Sequence, residues 1–171
     1  MTTVDAQALA AKAARLIQMA EASCVTLATA ESCTSGALAC LLADAPGAGA
    51  IDHGGFVVYT KANKTAALGV PPALIREHTA VSAEIARAMA EGALERCPAD
   101  IVVAITGVAG PEPDEDGNPV GLIHLAAARR GGDVLHEEHR FPDSSRETIR
   151  ALTLERALAL FERALSHPAA S

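Results

Sequence analysis

The stretch Cys24–Ala45, CVTLATAESCTSGALACLLADA, decides the fold. Cys24 to Ala30 read as a short apolar strand with β-branched positions, and Ser35 to Ala45 read as a helix ended by Pro46 and Gly47. A strand that runs into a helix through a tight turn is the repeating unit of α/β proteins. The turn, TAESCTSG (Thr29–Gly36), exposes backbone N–H groups and one side chain above the sheet, so it holds either an anion or a nucleophile. The two uses call for different partners elsewhere.

Outward from this unit, Leu9, Ala13, Leu16 and Ala20 recur at helical spacing between Asp5 and about Ala22. GGFVVYT (Gly54–Thr60) is a second strand, KANKTAALGV a short helix stopped at Gly69, and PPALIREH a helix that opens on prolines, where a missing N–H costs least. A helix from Ser82 to about Cys97 turns Ile85, Met89 and Leu94 inward. DIVVAITG (Asp100–Gly107) is apolar enough for a strand covered on both faces. VGLIHLAAA and DVLHEEHRF pair as a hairpin through Arg129–Arg130–Gly131–Gly132. Ser144 to Glu147 fit a capping box, with Ser144 as the cap, before a helix striped by Leu154, Leu158, Phe161 and Leu165. These elements predict a three-layer α/β sandwich: a mixed central sheet with helices on both faces. The tail HPAAS is expected to fray.

The 171 residues, 50% hydrophobic, suit one domain over 1–171 with a core of about 8–165. A net charge of −7 argues against a nucleic-acid backbone as partner, which would select clustered Lys and Arg. No apolar run reaches the roughly 20 residues a membrane-spanning helix needs. MTTVDAQALAAKAARL lacks the basic-then-apolar order of a secretory signal, so a cytoplasmic location is expected, with Cys24, Cys33, Cys40 and Cys97 as reduced thiols. With no Trp, one Tyr and three Phe, the core must be built from Ala, Leu, Val and Ile.

A serine hydroxyl needs a base to become a nucleophile, so a catalytic Ser32 requires a partner. Lys64, just past the adjacent strand, is the leading candidate once burial lowers its pKa, with Lys61 a rival. Tyr59 stands where it could relay a proton or hold the lysine. Backbone N–H groups of Cys33, Thr34, Ser35 and Gly36 are candidate oxyanion donors, although Ser32 and Thr34 also suit plain N-capping. Cys33 is an alternative nucleophile, since a helix start favours a thiolate.

TGVAGPEPDEDGNPVG (Thr106–Gly121) follows the most buried strand, where ligand loops of open α/β sheets gather, and it is neither a Walker A loop nor G-x-G-x-x-G. Its Glu112, Glu115 and Asp116 are expected to face solvent. Arg146 and Arg150, in the first turns of the last helix, suit an anionic ligand. HEEH (136–139) lacks zinc-protease order and reads as ordinary surface; no metal or other cofactor is called for.

TAESCTSG, GGFVVYTKANKTAALGV, AVSAEIARAMAEGAL, ITGVAGPEPDEDGNPVG and RETIR, in this order, resemble the C-terminal domain of the competence/damage-inducible CinA family, over roughly Ala8 to Leu165. That domain also exists alone as nicotinamide-mononucleotide deamidase. The resemblance implies an amidohydrolase that converts nicotinamide mononucleotide to nicotinate mononucleotide and ammonia, with Ser32 as nucleophile, Lys64 as general base and Tyr59 in the site. It implies Thr106, Arg146 and Arg150 around the substrate, no cofactor, and a homodimer like its relatives. The family usually reads ESCTGG; here Ser35 replaces the first glycine, and a side chain there is expected to crowd the turn or the substrate. Asn63 replaces a usual alanine. Activities of the N-terminal domain in longer members do not carry over. Two other functions fit the same residues: a non-catalytic nucleotide-binding or protein-interaction domain, and a Ser–Lys amidase or esterase for another small substrate.

Overall fold

The computed structural model describes residues 5–167. The tail expected to fray lies, beyond His167, outside the described residues, as do the first four residues of the stretch read for a signal.

The elements follow in the order α1 (Ala6–Ala22), β1 (Leu27–Glu31), α2 (Ala37–Ala43), α3 (Ala48–Ile51), β2 (Asp52–Val57), α4 (Lys61–Leu68), α5 (Pro72–His78), α6 (Ala83–Arg96), β3 (Ile101–Gly107), β4 (Leu122–Arg129), β5 (Leu135–Arg140) and α7 (Arg146–Ser166). The five strands form one sheet in the order β2-β1-β3-β4-β5. β2, β1 and β3 run parallel, while β4 and β5 are antiparallel to their neighbours. The expected mixed sheet and hairpin are therefore present.

Alternation along the strands divides the core. Leu27, Ile101, Val103, Ile105, Ile123 and Leu125 pack against α1, α2 and α7, where Phe161 is fully buried. Ala28, Ala30, Val102, Ala104, Ala126 and Ala128 face the other way, toward α4, α5 and α6. The strand side of the second face is almost all alanine, and Ala86, Ala90 and Ala93 of α6 approach it closely while Leu68, Ile75, Ile85 and Met89 fill the rest of the layer. This is how a chain so poor in aromatics closes its core.

Several element ends move by one to three residues, as β2 does to Asp52–Val57 from the expected Gly54–Thr60, and three further changes have a backbone cause. β1 begins at Leu27 rather than Cys24, because Cys24 takes a left-handed turn conformation (φ 52°), and the strand runs on to include Glu31. Gly47 opens an unforeseen one-turn helix, α3. The cap of α7 is Ser145, not Ser144: Asp143 at φ 55° turns the chain, Ser145 accepts from Thr148 N–H at 3.2 Å, and the Ser144 hydroxyl donates to the Pro142 carbonyl.

β1, β2 and β3 end at the same edge of the sheet. From there β1 feeds α2 on one face and β2 feeds α4 on the other, which opens a crevice between the two strand ends. No described helix is long and apolar enough to cross a membrane.

Candidate active site

Ser32 is the first residue beyond β1. Its N–H donates to the Ile105 carbonyl, so the sheet's hydrogen bonding continues one residue past the strand and fixes the side chain at the crevice. Lys64 enters from α4. That helix starts at Thr60, whose hydroxyl oxygen accepts from Asn63 N–H at 3.1 Å, and Asn63 Nδ2 donates to the Val57 carbonyl at 3.2 Å. These contacts tie the helix start to the end of β2 and bring the lysine inward.

Lys64 is only 1% exposed, and its Nζ lies 2.8 Å from Ser32 Oγ and 3.1 Å from the Val58 carbonyl oxygen. Burial of the ammonium lowers its pKa to about 8, because the charged form has lost its water. The rival lysine is set differently: Lys61 Nζ pairs with Glu115 at 2.7 Å and Asp116 at 2.8 Å, which raise its pKa. Burial pushes the Cys33 thiol up to about 11, which disfavours a thiolate there.

The glutamate of the turn has a role that the sequence left unassigned. Glu31 is fully buried, and its carboxylate accepts from Gly36 N–H at 3.0 Å, Leu38 N–H at 3.1 Å and Ala39 N–H at 2.8 Å. It does for α2 what an N-cap side chain ordinarily does, from the end of the preceding strand. The consequence corrects the oxyanion expectation. Gly36 N–H is taken by Glu31, and Ser35 N–H donates to the Ser32 carbonyl. Among the described residues, the Cys33 and Thr34 amides of this turn are left without a protein acceptor, and Cys33 lines the cavity. An acidic residue closing a strand immediately before a helix was the available signal for Glu31.

The crevice opens into a cavity of about 590 Å³ bounded by Ser32, Cys33, Lys64, Thr106 and Arg146. Thr106 is buried and its hydroxyl donates to the Ala80 carbonyl at 2.7 Å, so it anchors a wall. Arg146 lines the cavity and donates to the Gly110 carbonyl at 2.5 Å, holding the start of the 108–121 loop. Glu112, Glu115 and Asp116 are exposed, as expected, and together with Asp114 they also line the open side of the cavity, where Lys61 pairs with Glu115 and Asp116.

Several expected site residues stand elsewhere. Tyr59 is at the cavity wall but 62% exposed, and it makes no hydrogen bond to Ser32 or Lys64; the Val58 carbonyl holds the lysine instead. Thr34, Ser35, Gly36 and Arg150 do not line the cavity. Ser35 is exposed in a left-handed conformation (φ 55°), so it does not crowd a ligand, and the following Gly36 is left-handed as well (φ 88°). Arg150 reaches the back of the turn, donating to the Thr34 carbonyl at 2.7 Å. Histidines 136 and 139 lie on the edge strand β5, where His136 meets His124 and His139 meets Glu137. Among the described residues no group of His, Cys, Asp and Glu has the arrangement of a metal site, and all four cysteines are unbridged.

A family model described as the CinA C-terminal domain matches residues 9–165. A CinA-like protein of Akkermansia muciniphila is 45% identical over 132 residues, 77% of this chain and 32% of that protein. A CinA-like protein of Mycolicibacterium vanbaalenii is 45% identical over 141 residues, 82% of this chain and 33% of its own length. The chain thus spans about a third of the length of these curated relatives. Among solved structures, the competence/damage inducible protein CihA from Agrobacterium tumefaciens superposes with a TM-score of 0.89 at 39% identity, covering 98% of this chain and 100% of that one. A competence-damaged protein (CinA) superfamily protein from Escherichia coli gives 0.88 at 35% identity, covering 96% and 94%. Sequence and fold agree along nearly the whole described chain, and the chain belongs to the CinA family, matching its C-terminal domain.

Proposed function

We propose that this protein is an amidohydrolase that converts nicotinamide mononucleotide to nicotinate mononucleotide and ammonia through an acyl-enzyme on Ser32. The observation that carries the reading is the 2.8 Å approach of Lys64 Nζ to Ser32 Oγ at the wall of the cavity, with the lysine's pKa lowered to about 8. A lysine so tuned is partly neutral near physiological pH and can accept the serine proton.

Neutral Lys64 takes the proton from Ser32 Oγ as the oxygen attacks the carboxamide carbon. The carbonyl oxygen becomes an oxyanion and accepts a hydrogen bond from the free Cys33 N–H at the cavity wall. The tetrahedral intermediate collapses, the C–N bond breaks, and the Lys64 ammonium gives its proton to the departing nitrogen, which leaves as ammonia. Water then attacks the ester; Lys64 takes its proton and returns it to Ser32 Oγ as the acid is released. Arg146 supplies positive charge for a phosphate, and the carboxylates of the 112–116 stretch suit a cationic pyridinium ring, so the cavity matches a ligand that carries both charges. The volume falls within the range of small-molecule sites, roughly 300–1,000 Å³.

The test is ammonia release from nicotinamide mononucleotide by wild type, Ser32→Ala and Lys64→Ala, with thermal melts as a check on folding. Turnover by wild type and loss in both folded variants supports the reading. A silent wild type that still binds the nucleotide makes this a binding domain, and turnover of other amides or esters in its place moves the substrate.

A further inference from the structure

Arg150 sits in the second turn of α7, but its guanidinium stays behind the Ser32 turn rather than in the cavity. Its Nη2 donates to the Thr34 carbonyl oxygen at 2.7 Å, its one hydrogen bond among the described residues, and its Nε is buried without a partner. It forms no ion pair among those residues. Two arginines at helix ends differ from it, while Arg87, which also donates to a single carbonyl, that of Val134, is exposed at its contact. Arg129 donates to the Ala164, Leu165 and His167 carbonyls, and Arg130 to those of Leu94, Cys97 and Ala99. In each, one terminal nitrogen is shared among three carbonyls at the end of a helix, so the charge is spread over several acceptors. Arg150 instead directs a positive charge at one peptide oxygen.

That oxygen is the outer end of a hydrogen-bonded series. The Thr34 carbonyl shares a peptide unit with the Ser35 N–H, which donates to the Ser32 carbonyl at 3.1 Å. The Ser32 carbonyl shares a peptide unit with the Cys33 N–H, which has no protein acceptor among the described residues and belongs to a residue that lines the cavity. In a resonant peptide unit, charge drawn onto the oxygen leaves the N–H a stronger donor, and successive units reinforce one another. Ser32, Cys33 and Thr34, which carry the two carbonyls and the Cys33 N–H, are buried, and Ser35, whose N–H links them, is exposed.

We infer that Arg150 is a positioning residue for acyl transfer: it holds the Ser32 turn and polarises, through two peptide units, the Cys33 N–H that receives the oxyanion. The inference rests on the Ser32–Lys64 reading. Because the Cys33 N–H matters most when charge develops on the substrate oxygen, the effect falls on kcat and leaves KM nearly unchanged.

The experiment combines two readouts on wild type, Arg150→Met and Arg150→Gln: steady-state hydrolysis of nicotinamide mononucleotide, and the rate at which a small alkyl fluorophosphonate labels Ser32. In the labelling step Ser32 Oγ bonds to phosphorus, Lys64 takes the hydroxyl proton and fluoride leaves, while the phosphonyl oxygen occupies the oxyanion position. Removing an entire oxyanion donor costs about 10²–10³ in kcat, and polarisation is worth a fraction of one, so Arg150→Met should lose about tenfold in kcat and in labelling rate. KM should stay within about twofold. Arg150→Gln keeps a neutral donor for the Thr34 carbonyl; it should lose at least about threefold in both rates, and it carries the test if the Met variant does not fold. Wild-type rates in the folded variants, or a loss confined to KM, overturn the inference while leaving the Ser–Lys reading intact. A wild type that neither hydrolyses the nucleotide nor labels at Ser32 overturns that reading, and the inference with it.

Discussion

Lys61 and Lys64 leave the same turn of α4, three residues apart, and end in opposite electrostatic environments. Lys61 turns outward to Glu115 and Asp116, which hold its proton more firmly; Lys64 turns into the core beside Ser32, where burial loosens it. One helical turn therefore supplies both an ion-paired cation at the cavity wall and a buried amine, its pKa lowered to about 8, beside the serine.

The pH dependence of turnover should report the inner lysine. Its amine is protonated below about 8 and neutral above, so kcat/KM should rise with pH and level off above about 8. Lys61→Met should leave the midpoint of that rise in place. A midpoint that followed Lys61 would reassign the base; rate measurements from pH 6 to 9.5 decide it.

Lys64→Met should abolish turnover and make the protein more stable. Below pH 8 the folded wild type carries a buried ammonium whose affinity for its proton is lower than in the unfolded chain. From about 8 up to the ordinary lysine value the unfolded chain binds a proton that the folded chain lacks, so wild-type stability rises with pH. The Met variant has no such group, so its advantage, about 1–2 kcal/mol, is greatest below pH 8 and fades as pH rises toward 10. Urea unfolding at pH 7 and pH 10 measures both the gain and its loss.

Ser35→Gly should stabilise the fold and leave catalysis alone. A non-glycine residue in the left-handed region costs roughly 1–2 kcal/mol, partly offset by the greater freedom glycine has when unfolded, so a gain of about 0.5–1 kcal/mol is expected. Because Ser35 lies outside the cavity, kcat/KM should stay within about twofold. A large rise in activity would mean that this side chain does obstruct the site.

Glu31→Gln should be costly although it changes a single oxygen to nitrogen. Three backbone N–H groups converge on the carboxylate, and the amide would set a donor against a donor. A loss of about 2–3 kcal/mol in unfolding free energy is expected, since hydrogen bonds to charged groups are the stronger kind. Unchanged stability would show that these amides find other acceptors.

The fold was legible because its signals are local. Strand and helix periods in Leu27–Ala43, the apolar run of β3 and the Arg129–Gly132 turn each declare themselves within a few residues. Ser32 and Lys64 were legible as well, since adjacent parallel strands deliver the residues beyond their ends to one edge. What escaped depends on distance or on backbone handedness. The one signal for Glu31, an acidic residue closing a strand just before a helix, does not say which amides of that helix it accepts from, and nothing near Arg150 shows it reaching a turn 116 residues away. The acidic run was legible as exposed but not as a cavity wall, because Lys61, which pairs with Glu115 and Asp116, is distant in sequence. The cap of α7 moved by one residue because the left-handed Asp143 is invisible to a capping pattern.

The central claim is that Ser32, activated by Lys64, carries the acyl group. Rapid acid quench of wild type turning over nicotinamide mononucleotide, followed by peptide mapping by mass, tests it most directly. The account predicts an adduct equal to nicotinate mononucleotide less water on Ser32, absent from Lys64→Ala. An adduct on Cys33, or steady ammonia release with no adduct at any quench time and full activity in Ser32→Ala, would contradict it.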